Sequence, residues 1–265
     1  MGLPDGIFSA MSKPAFPGLA NLSVILVNTV SPGNVGSIAR VMKNLGFQVL
    51  KLVTVNRPDD EDCRRMAGRA FDLIQGARRF NDLSEATADE QILFGTTSGR
   101  ERLERGKVLD PCRAADRIRE YAPENRIGLV FGPERSGLSE QQLARCQFRV
   151  SIPSNPEYPV LNISKAVAIL LYEISRVSPR PFREKRRLVS MAERESFYED
   201  LKQVLIEIGF LSESNPEHIM NAIRGIFNQP DLTERDLKIL RGIVGQLDWY
   251  IRAGRLRPPA GIRKP

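Results

Sequence analysis

Residues 32–40 read Pro-Gly-Asn-Val-Gly-Ser-Ile-Ala-Arg and follow an apolar run at residues 24–27. The run predicts a buried strand, and the spaced apolar residues after Gly36 predict a helix, so the stretch is a strand-to-helix turn. At such a turn the backbone amides and the helix dipole favour anionic groups, which makes Asn34, Gly36 and Arg40 candidate site residues. Its glycines alone are weak evidence, because glycine also permits tight chain reversal or close packing of a helix on a sheet.

Two further polar turns strengthen the evidence that the first turn belongs to a functional site. Residues 131–139 read Phe-Gly-Pro-Glu-Arg-Ser-Gly-Leu-Ser, and residues 155–162 read Asn-Pro-Glu-Tyr-Pro-Val-Leu-Asn. Each lies at the end of a strand candidate. The three turns together predict one composite site.

From residue 21 onward, short apolar runs alternate with helical patterns. The strand candidates are 24–27, 49–55, 92–95, 127–131 and 148–152. The helical segments lie around 35–45, 60–75, 111–121, 139–145 and 163–176. In the fourth of these, Ser139 and Gln142 form a capping box, and Leu138 and Leu143 can form a hydrophobic staple. The alternation predicts an α/β fold with a mostly parallel sheet covered by helices on both faces.

The composition divides the chain into five parts. A flexible leader at 1–20 precedes the α/β domain at 21–177, and a basic linker rich in proline and arginine follows at 178–190. Three amphipathic patterns predict a small all-α domain at 191–257, before a tail at 258–265. The basic linker is either a solvated connector or a contact to an RNA or DNA backbone.

Charge and cysteine content set broad limits on partners. The 265 residues include 39 Lys and Arg against 32 Asp and Glu, a net charge of +7, which favours polyanionic partners although many metabolic enzymes are also basic. Cys63, Cys112 and Cys146 are odd in number and lack metal-ligand spacing, so we expect reduced structural thiols and no metal. Neither a signal-peptide pattern nor an apolar run of about 18 residues occurs, so we expect a soluble, cytoplasmic protein without membrane association.

Several catalytic classes are disfavoured by what the sequence lacks. The single histidine, His218, falls in the helical part, away from all three turns, which disfavours a Ser-His-Asp or Cys-His catalyst. The first turn lacks the Gly-x-Gly-x-x-Gly of a dinucleotide fold, although Asp59 and Asp60 lie at a spacing suited to a ribose contact. A Gly-Lys-Ser/Thr phosphate loop is missing too, which disfavours ordinary phosphoryl transfer.

The three turns resemble the three motifs of SPOUT-class RNA 2′-O-methyltransferases. The matching residues are Pro32, Asn34, Gly36 and Arg40, then 131–138, then Ile152, 155–158, Leu161 and Asn162. Within that class, residues 95–98 and 240–243 favour the tRNA (cytidine/uridine-2′-O-)-methyltransferases. The resemblance, which extends from residue 21 to about residue 251, implies a C-terminal trefoil knot in the α/β domain. It also implies S-adenosyl-L-methionine as cofactor and a homodimer with its site near the interface.

The resemblance also implies which residues hold the cofactor. They are Thr96, Thr97, Ser98, Gly132, Ile152, Pro159, Val160 and Leu161. Small residues let backbone groups approach a ligand, and Ile152 and Leu161 can enclose an adenine ring, although both could equally be plain core residues. Related bacterial enzymes often have serine in place of Val160, so only a backbone contact is expected from this position.

Methyl transfer to a ribose hydroxyl requires orientation and partial deprotonation of that hydroxyl. Arg40 is our main catalytic candidate, and because a guanidinium is almost never deprotonated, we expect it to clamp the phosphate beside the target ribose. The alternative is a helix-surface arginine paired with a carboxylate. Asn34, Glu134 and Asn162 are expected to support the first, second and third turns respectively.

Three functions stay open at this point. The first is ribose 2′-O-methylation of RNA, expected to be cytidine or uridine in the tRNA anticodon loop. The second is the same reaction on ribosomal RNA, and the third is a non-catalytic RNA-binding protein of the same fold. In each case the basic linker and the helical domain are expected to extend the contact with RNA.

Overall fold

A computed structural model of the chain describes residues 18–55, 60–97, 108–155, 157–158, 160–176, 188–212, 214–228 and 232–253. Several predictions made from the sequence lie outside these ranges. They concern Ser98, Pro159, Asp59, almost all of the predicted leader, most of the basic linker and the C-terminal tail.

The described α/β part contains a seven-stranded sheet in which every neighbouring pair of strands is parallel. Its strands are β1 (Leu22–Val27), β2 (Val49–Val53), β3 (Arg78–Phe80), β4 (Ile92–Thr97), β5 (Val108–Leu109), β6 (Ile127–Phe131) and β7 (Phe148–Ser151). The order is β3-β2-β1-β6-β4-β7-β5. The predicted α/β class with a mostly parallel sheet is confirmed, whereas the trefoil knot stays a prediction.

Helices follow most of the strands. They are α1 (Pro32–Leu45), α2 (Glu61–Ala67), α3 (Phe71–Gln75), α4 (Leu83–Thr87), α5 (Pro111–Tyr121), α6 (Glu140–Arg145), α7 (Ile163–Ser175), α8 (Met191–Glu207), α9 (Pro216–Phe227) and α10 (Glu234–Arg252). The predicted helix at 60–75 is two helices, because Gly68 takes a positive φ of 56° between them. The strand predicted to reach residue 55 ends at Val53, because Thr54 also has a positive φ, of 50°.

Alternate residues of the central strand β1 enter two different cores. Val24 and Leu26 belong to the core that includes residues of α1, α5 and α7, whereas Ile25 and Val27 belong to the core that includes residues of α4 and α6. All four side chains are at most 1% exposed. The sheet is therefore buried on both faces, as the continuous apolar strands predict.

The last three helices enclose a third core, which is tied to the sheet by hydrogen bonds. The side-chain oxygen of Gln147 accepts a hydrogen bond from the backbone N–H of Leu93 in β4, at 2.7 Å. The amide of the same Gln147 donates to Asn228 at the end of α9, and Asn228 donates to the carbonyl of Ala144 at 2.9 Å. The predicted helical domain is thus present and docked on the sheet.

The end of the predicted basic linker also belongs to the packed structure. Leu188 and Val189 are buried, and the backbone N–H of Met191 donates to the carbonyl of Glu90 at 2.7 Å. The Glu90 side chain is itself buried in an ion pair with Lys51, also at 2.7 Å. The chain is therefore fixed to the α/β part at the point where α8 begins.

The two glycines of the first turn permit close packing of α1 on α2. A Cβ atom on Gly33 would lie 2.5 Å from the carboxylate of Asp62. One on Gly36 would collide with the carbonyl oxygen of Cys63 and lie 2.9 Å from the amide nitrogen of Ala67. The sequence anticipated packing of helix on sheet at these glycines, but the close neighbour is a second helix.

We therefore expect Gly36→Ala to destabilise the fold. Its methyl group meets backbone atoms that cannot rotate away, so the free energy of unfolding should fall by about 1–3 kcal/mol. Urea denaturation followed by circular dichroism measures the change. Gly76→Ala is the control, because a Cβ there meets a single atom at 3.4 Å. Equal urea midpoints for Gly36→Ala and Gly76→Ala would contradict this expectation, because they would show that α1 and α2 can move apart without loss of stability.

Candidate active site

The turn after β6 forms a tight loop that depends on Gly132. A Cβ atom at this position would lie 2.7 Å from the carbonyl oxygen of Gly137 and collide with the backbone of Leu138. Gly137 itself has a positive φ of 67°. The loop therefore closes back on the end of its own strand, and only a residue without a side chain fits at position 132.

Glu134 in this loop binds the start of the first turn. Its carboxylate accepts a hydrogen bond from the side-chain amide of Asn34 at 2.8 Å. It also accepts from the backbone N–H groups of Val30 and Ser31, at 3.2 and 3.4 Å. A carboxylate of the protein itself therefore lies just before the N-terminus of α1, where the helix dipole favours an anion.

Asn162 ties the third turn to the same pair. Its amide nitrogen donates to the side-chain oxygen of Asn34 at 3.1 Å. Its own side-chain oxygen accepts from the backbone N–H of Ser164 at 2.9 Å, so Asn162 also caps the N-terminus of α7. The residues predicted to support the three separate turns form one hydrogen-bonded cluster.

The cluster stabilises the charged form of Glu134. Burial acts to raise the pKa of this carboxyl, but the hydrogen bonds from Asn34 and from the backbone outweigh it. The pKa of Glu134 is therefore held below its ordinary value of 4.5. At neutral pH the carboxylate is ionised. It accepts hydrogen bonds from the side chain of Asn34 and from the backbone N–H groups of Val30 and Ser31.

A cavity of about 280 Å³ lies beside this cluster. This is close to the lower end of the roughly 300–1,000 Å³ of small-molecule sites. The residues around it are Thr96, Thr97, Phe131, Gly132, Pro133, Glu134, Arg135, Ser136, Gly137, Leu138, Val150, Ile152, Val160, Leu161, Ile163 and Ala166. Six of the predicted cofactor residues, Thr96, Thr97, Gly132, Ile152, Val160 and Leu161, are among them.

The cavity includes residues to which the sequence assigned no role. Val150, Ile163 and Ala166 lie at the end of β7 and on the first turns of α7. Their apolar character is the same as that of core residues, so the sequence carries no signal that separates them. Arg135 and Ser136 lie within the second motif, residues 131–139. Their place in that motif is the feature of the sequence that could have identified them as cavity residues.

Arg40 lies apart from the cluster in the single chain. Its side chain is exposed on α1 and does not line the cavity. Within the described ranges it has no hydrogen bond or ion pair, so the structure supplies no carboxylate for the surface-pair alternative. The structure therefore gathers Asn34, Glu134 and Asn162 but leaves Arg40 outside.

Two protein-family models match this chain, one over the α/β part and one over the C-terminal helices. A model described as the SpoU rRNA methylase family matches residues 21–172, which is more than half of the chain. The chain belongs to the SpoU methylase family. A second model, described as the C-terminal domain of the tRNA methyltransferase TrmJ, matches residues 192–257 and so covers the helices of the third core.

Individual SpoU methylases are similar over most of their length. A tRNA (cytidine/uridine/adenosine-2′-O-)-methyltransferase TrmJ from Pseudomonas aeruginosa is 36% identical, over 85% of this chain and 93% of that protein. TrmJ from Escherichia coli K12 is 34% identical, over 87% and 96%. The crystal structure of TrmJ from Z. mobilis ZM4 superposes with a TM-score of 0.75 at 30% identity, over 85% of this chain and 98% of that one.

Two further observations on this SpoU methylase concern metal ions and membranes. Among the residues that the structure describes, no three His, Cys, Asp or Glu side chains are grouped so that they could hold a metal ion. In the same ranges, every helix is too short or too polar to cross a membrane.

Glu134→Gln is expected to weaken the fold of this SpoU methylase in a pH-dependent way. Because the pKa of Glu134 is lowered by folding, its contribution to stability is complete above about pH 4.5 and is lost as pH falls through the lowered pKa. At pH 7 the variant should unfold with about 1 kcal/mol less free energy than the wild type. The difference should narrow below pH 4.5, as measured by urea denaturation across pH.

Glu120→Gln is the matched control, because Glu120 pairs with Arg117 on the exposed side of α5. Such a surface pair contributes little, so this variant should follow the wild type. A constant difference between Glu134→Gln and the wild type down to pH 3 would contradict the role of the charge.

Proposed function

We propose that this protein is an S-adenosyl-L-methionine-dependent methyltransferase that acts on a ribose 2′-hydroxyl of tRNA. The observation that carries the proposal is the hydrogen-bonded cluster of Asn34, Glu134 and Asn162 beside a cavity of ligand size. The two family models support it, since the catalytic fold and the TrmJ-type helical domain occur in one chain. We further propose cytidine or uridine of the anticodon loop as the target, in cytoplasmic tRNA.

The residues around the cavity suit the chemistry of the cofactor. Gly132 lets the second turn close against the end of β6 beside the cavity, and the side chains of Ile152 and Leu161 supply apolar walls for an adenine ring. The hydroxyl of Thr96 donates to the carbonyl of Val130 at 3.2 Å, so this wall is held by the sheet. When bound, S-adenosyl-L-methionine supplies the methyl group on a sulfonium centre. Ser98 and Pro159 stay predicted cofactor residues.

The cluster residues are assigned a positioning role. Asn34 and Glu134 join the first turn to the second, and Asn162 joins the third turn to Asn34, so the walls of the cavity keep a fixed separation. A fixed separation matters because transfer requires the ribose oxygen to approach the methyl carbon in line. Val160 has no hydroxyl, so it takes no part in proton transfer.

We assign to Arg40 the binding of an RNA phosphate. Its guanidinium is exposed on the helix that begins at the first turn and stays charged, so it can hold the phosphate next to the target ribose. The proton of the 2′-hydroxyl then passes to that phosphate or to water. In this assignment Arg40 orients the RNA strand, while the cluster orients the protein around the cofactor.

We also propose that the protein is a homodimer that uses an apolar strip on α1 and α7. The strip consists of Val41, Leu45, Ala168, Ile169 and Tyr172, which line a shallow depression between the two helices. Ile169 is 36% exposed and Tyr172 is 52% exposed. Because α1 carries Arg40 and Asn162 caps the N-terminus of α7, a contact on this strip lies on the two helices that adjoin the proposed site.

The reaction itself is tested with labelled S-adenosyl-L-methionine, unmodified tRNA and ribosomal RNA in parallel. We expect label in tRNA alone, located by nuclease digestion and mass spectrometry as a ribose-methylated cytidine or uridine. Label only in ribosomal RNA would transfer the proposal to that substrate. RNA binding without label in either substrate would indicate a non-catalytic protein.

Arg40→Ala is expected to abolish most of the methyl transfer without affecting the cofactor. The rate with tRNA should fall by about 100-fold or more, because orientation of the ribose is lost. The affinity for S-adenosylhomocysteine, measured by calorimetry, should stay within about twofold, because Arg40 does not line the cavity. Lys43→Ala is the control on the same helix, since Lys43 pairs with Asp72 at 2.6 Å. Wild-type rates in Arg40→Ala would remove this residue from the mechanism.

Ile169→Asp is expected to dissociate the dimer. Sedimentation equilibrium should give a mass of twice 29.7 kDa for the wild type and a single-chain mass for the variant. A buried aspartate in an apolar contact is strongly unfavourable, whereas an exposed one is not. Ile226→Asp, on the exposed side of α9, is the control. A dimer of unchanged affinity in Ile169→Asp would exclude this strip as the interface.

A further inference from the structure

The second turn places a positive charge at the cavity. Among the described residues that surround the cavity, Glu134 and Arg135 are the only two with ionised side chains. Glu134 already accepts hydrogen bonds from Asn34 and from two backbone amides. Arg135 is exposed, and within the described ranges its side chain has no hydrogen bond or ion pair. The guanidinium of Arg135 is therefore a cation that a ligand in the cavity can bind.

The backbone that carries Arg135 is held on both sides. The N–H of Gly137 donates to the carbonyl of Pro133 at 2.9 Å, which closes the turn around Arg135. Before Arg135, the carboxylate of Glu134 is bonded to the first turn, and after it the side chain of Leu138 is buried. Because the turn is already ordered, a ligand that binds Arg135 has only the side chain to immobilise.

The other described residues around the cavity offer an anion no second charge. Their side chains are apolar, as at Val150 and Ile152, or carry a hydroxyl, as at Thr96 and Ser136, or are absent at the glycines. A hydroxyl can donate a hydrogen bond to an anion but does not neutralise it. Any anionic group that enters this cavity is therefore expected to bind at Arg135.

The proposed cofactor has one anionic group. S-adenosyl-L-methionine carries positive charge on its sulfonium and ammonium groups, and its negative charge lies on the carboxylate of the methionine end. A guanidinium binds a carboxylate through two parallel N–H···O hydrogen bonds, a geometry that fixes the orientation of the carboxylate. The cofactor's single anion thus matches the single cation of the described cavity residues.

The positions of the two exposed arginines separate this ligand from an RNA phosphate. Arg40 is on α1 and does not line the cavity, whereas Arg135 does. An RNA strand is too large to enter a cavity of about 280 Å³, so its phosphates are expected at the outer surface. The cavity position of Arg135 therefore favours the carboxylate of the cofactor as its partner.

We propose that Arg135 binds the carboxylate of the cofactor's methionine end and so selects S-adenosyl-L-methionine over analogues that lack this group. This inference rests on the proposed function, because it requires that cofactor. It gives the second turn two different tasks. Glu134 joins the turn to the rest of the protein, and Arg135 recognises the ligand.

The test compares S-adenosyl-L-methionine with decarboxylated S-adenosylmethionine, which keeps the sulfonium and ammonium groups but lacks the carboxylate. Calorimetric titration of the full-length protein without RNA measures both affinities. The wild type should bind the intact cofactor about tenfold more tightly than the decarboxylated form. Arg135→Ala should bind the two forms with similar Kd values, both close to the wild-type Kd for the decarboxylated form.

Two further variants control for charge and for folding. Arg135→Lys keeps the charge but loses the two-pronged hydrogen bonding, so its preference for the intact cofactor should be intermediate. Arg79→Ala removes an equally exposed arginine from β3, which is three strands away from β6 in the sheet, and should keep the wild-type preference. Because Arg135 is exposed and unpaired in the described ranges, Arg135→Ala should unfold at the wild-type temperature.

The outcomes separate this inference from the proposed function. If decarboxylation costs the same affinity in Arg135→Ala as in the wild type, the carboxylate binds elsewhere and the inference fails. If Arg135→Ala keeps wild-type affinities for both forms but has a raised KM for tRNA, Arg135 contacts RNA and the inference also fails. In both cases methylation of tRNA by the wild type leaves the proposed function standing. If the wild type binds neither form, the proposed function fails as well.

Discussion

The carboxylate of Glu134 is the interaction on which the site depends. It accepts hydrogen bonds from Asn34 and from two backbone amides that are about a hundred residues away in sequence. Asn34 then accepts from Asn162, so a single anion organises three turns. A neutral side chain could occupy the same space, but it would form weaker hydrogen bonds with the two amides that precede α1. In our proposal, the hydrogen bonds of this anion hold the edges of the cavity together.

Much of the fold could be predicted from the sequence because the sheet is buried on both faces. Strands such as β1 and β6 are mostly apolar and are followed by polar turns, and that pattern can be recognised without a structure. The short edge strands β3 and β5 could not be predicted, since three and two residues carry no periodicity. The break at Gly68 was also missed, because a glycine inside a helical pattern does not reveal a positive φ.

The candidate site also has a part that could be predicted from the sequence and a part that could not. The polar residues Asn34, Glu134 and Asn162 were identified from their motifs, and the structure joins them through side-chain hydrogen bonds. The apolar wall at Val150, Ile163 and Ala166 could not be separated from the core by sequence, because burial in a cavity and burial in a core select the same residue types. The position of Arg40 relative to its substrate depends on RNA, and in our proposal on a second copy, so one chain's sequence does not determine it.

Hydrogen bonds connect the helical domain to a strand that ends at the cavity. Gln147 bonds both β4 and Asn228, and β4 ends at Thr96 and Thr97 on the cavity wall. In our proposal, this connection sets where a bound RNA lies relative to the cofactor. Burial of Leu188 and Val189 has the same effect on the chain that enters α8.

The central claim is that the three joined turns form the cofactor pocket. Calorimetric titration of the wild type and of Asn162→Ala with S-adenosylhomocysteine tests it most directly. We predict a saturable one-site isotherm for the wild type and a clearly weaker one for Asn162→Ala, because the third turn loses its bond to Asn34. No heat of binding in the wild type, or equal affinities in the two proteins, would contradict the account.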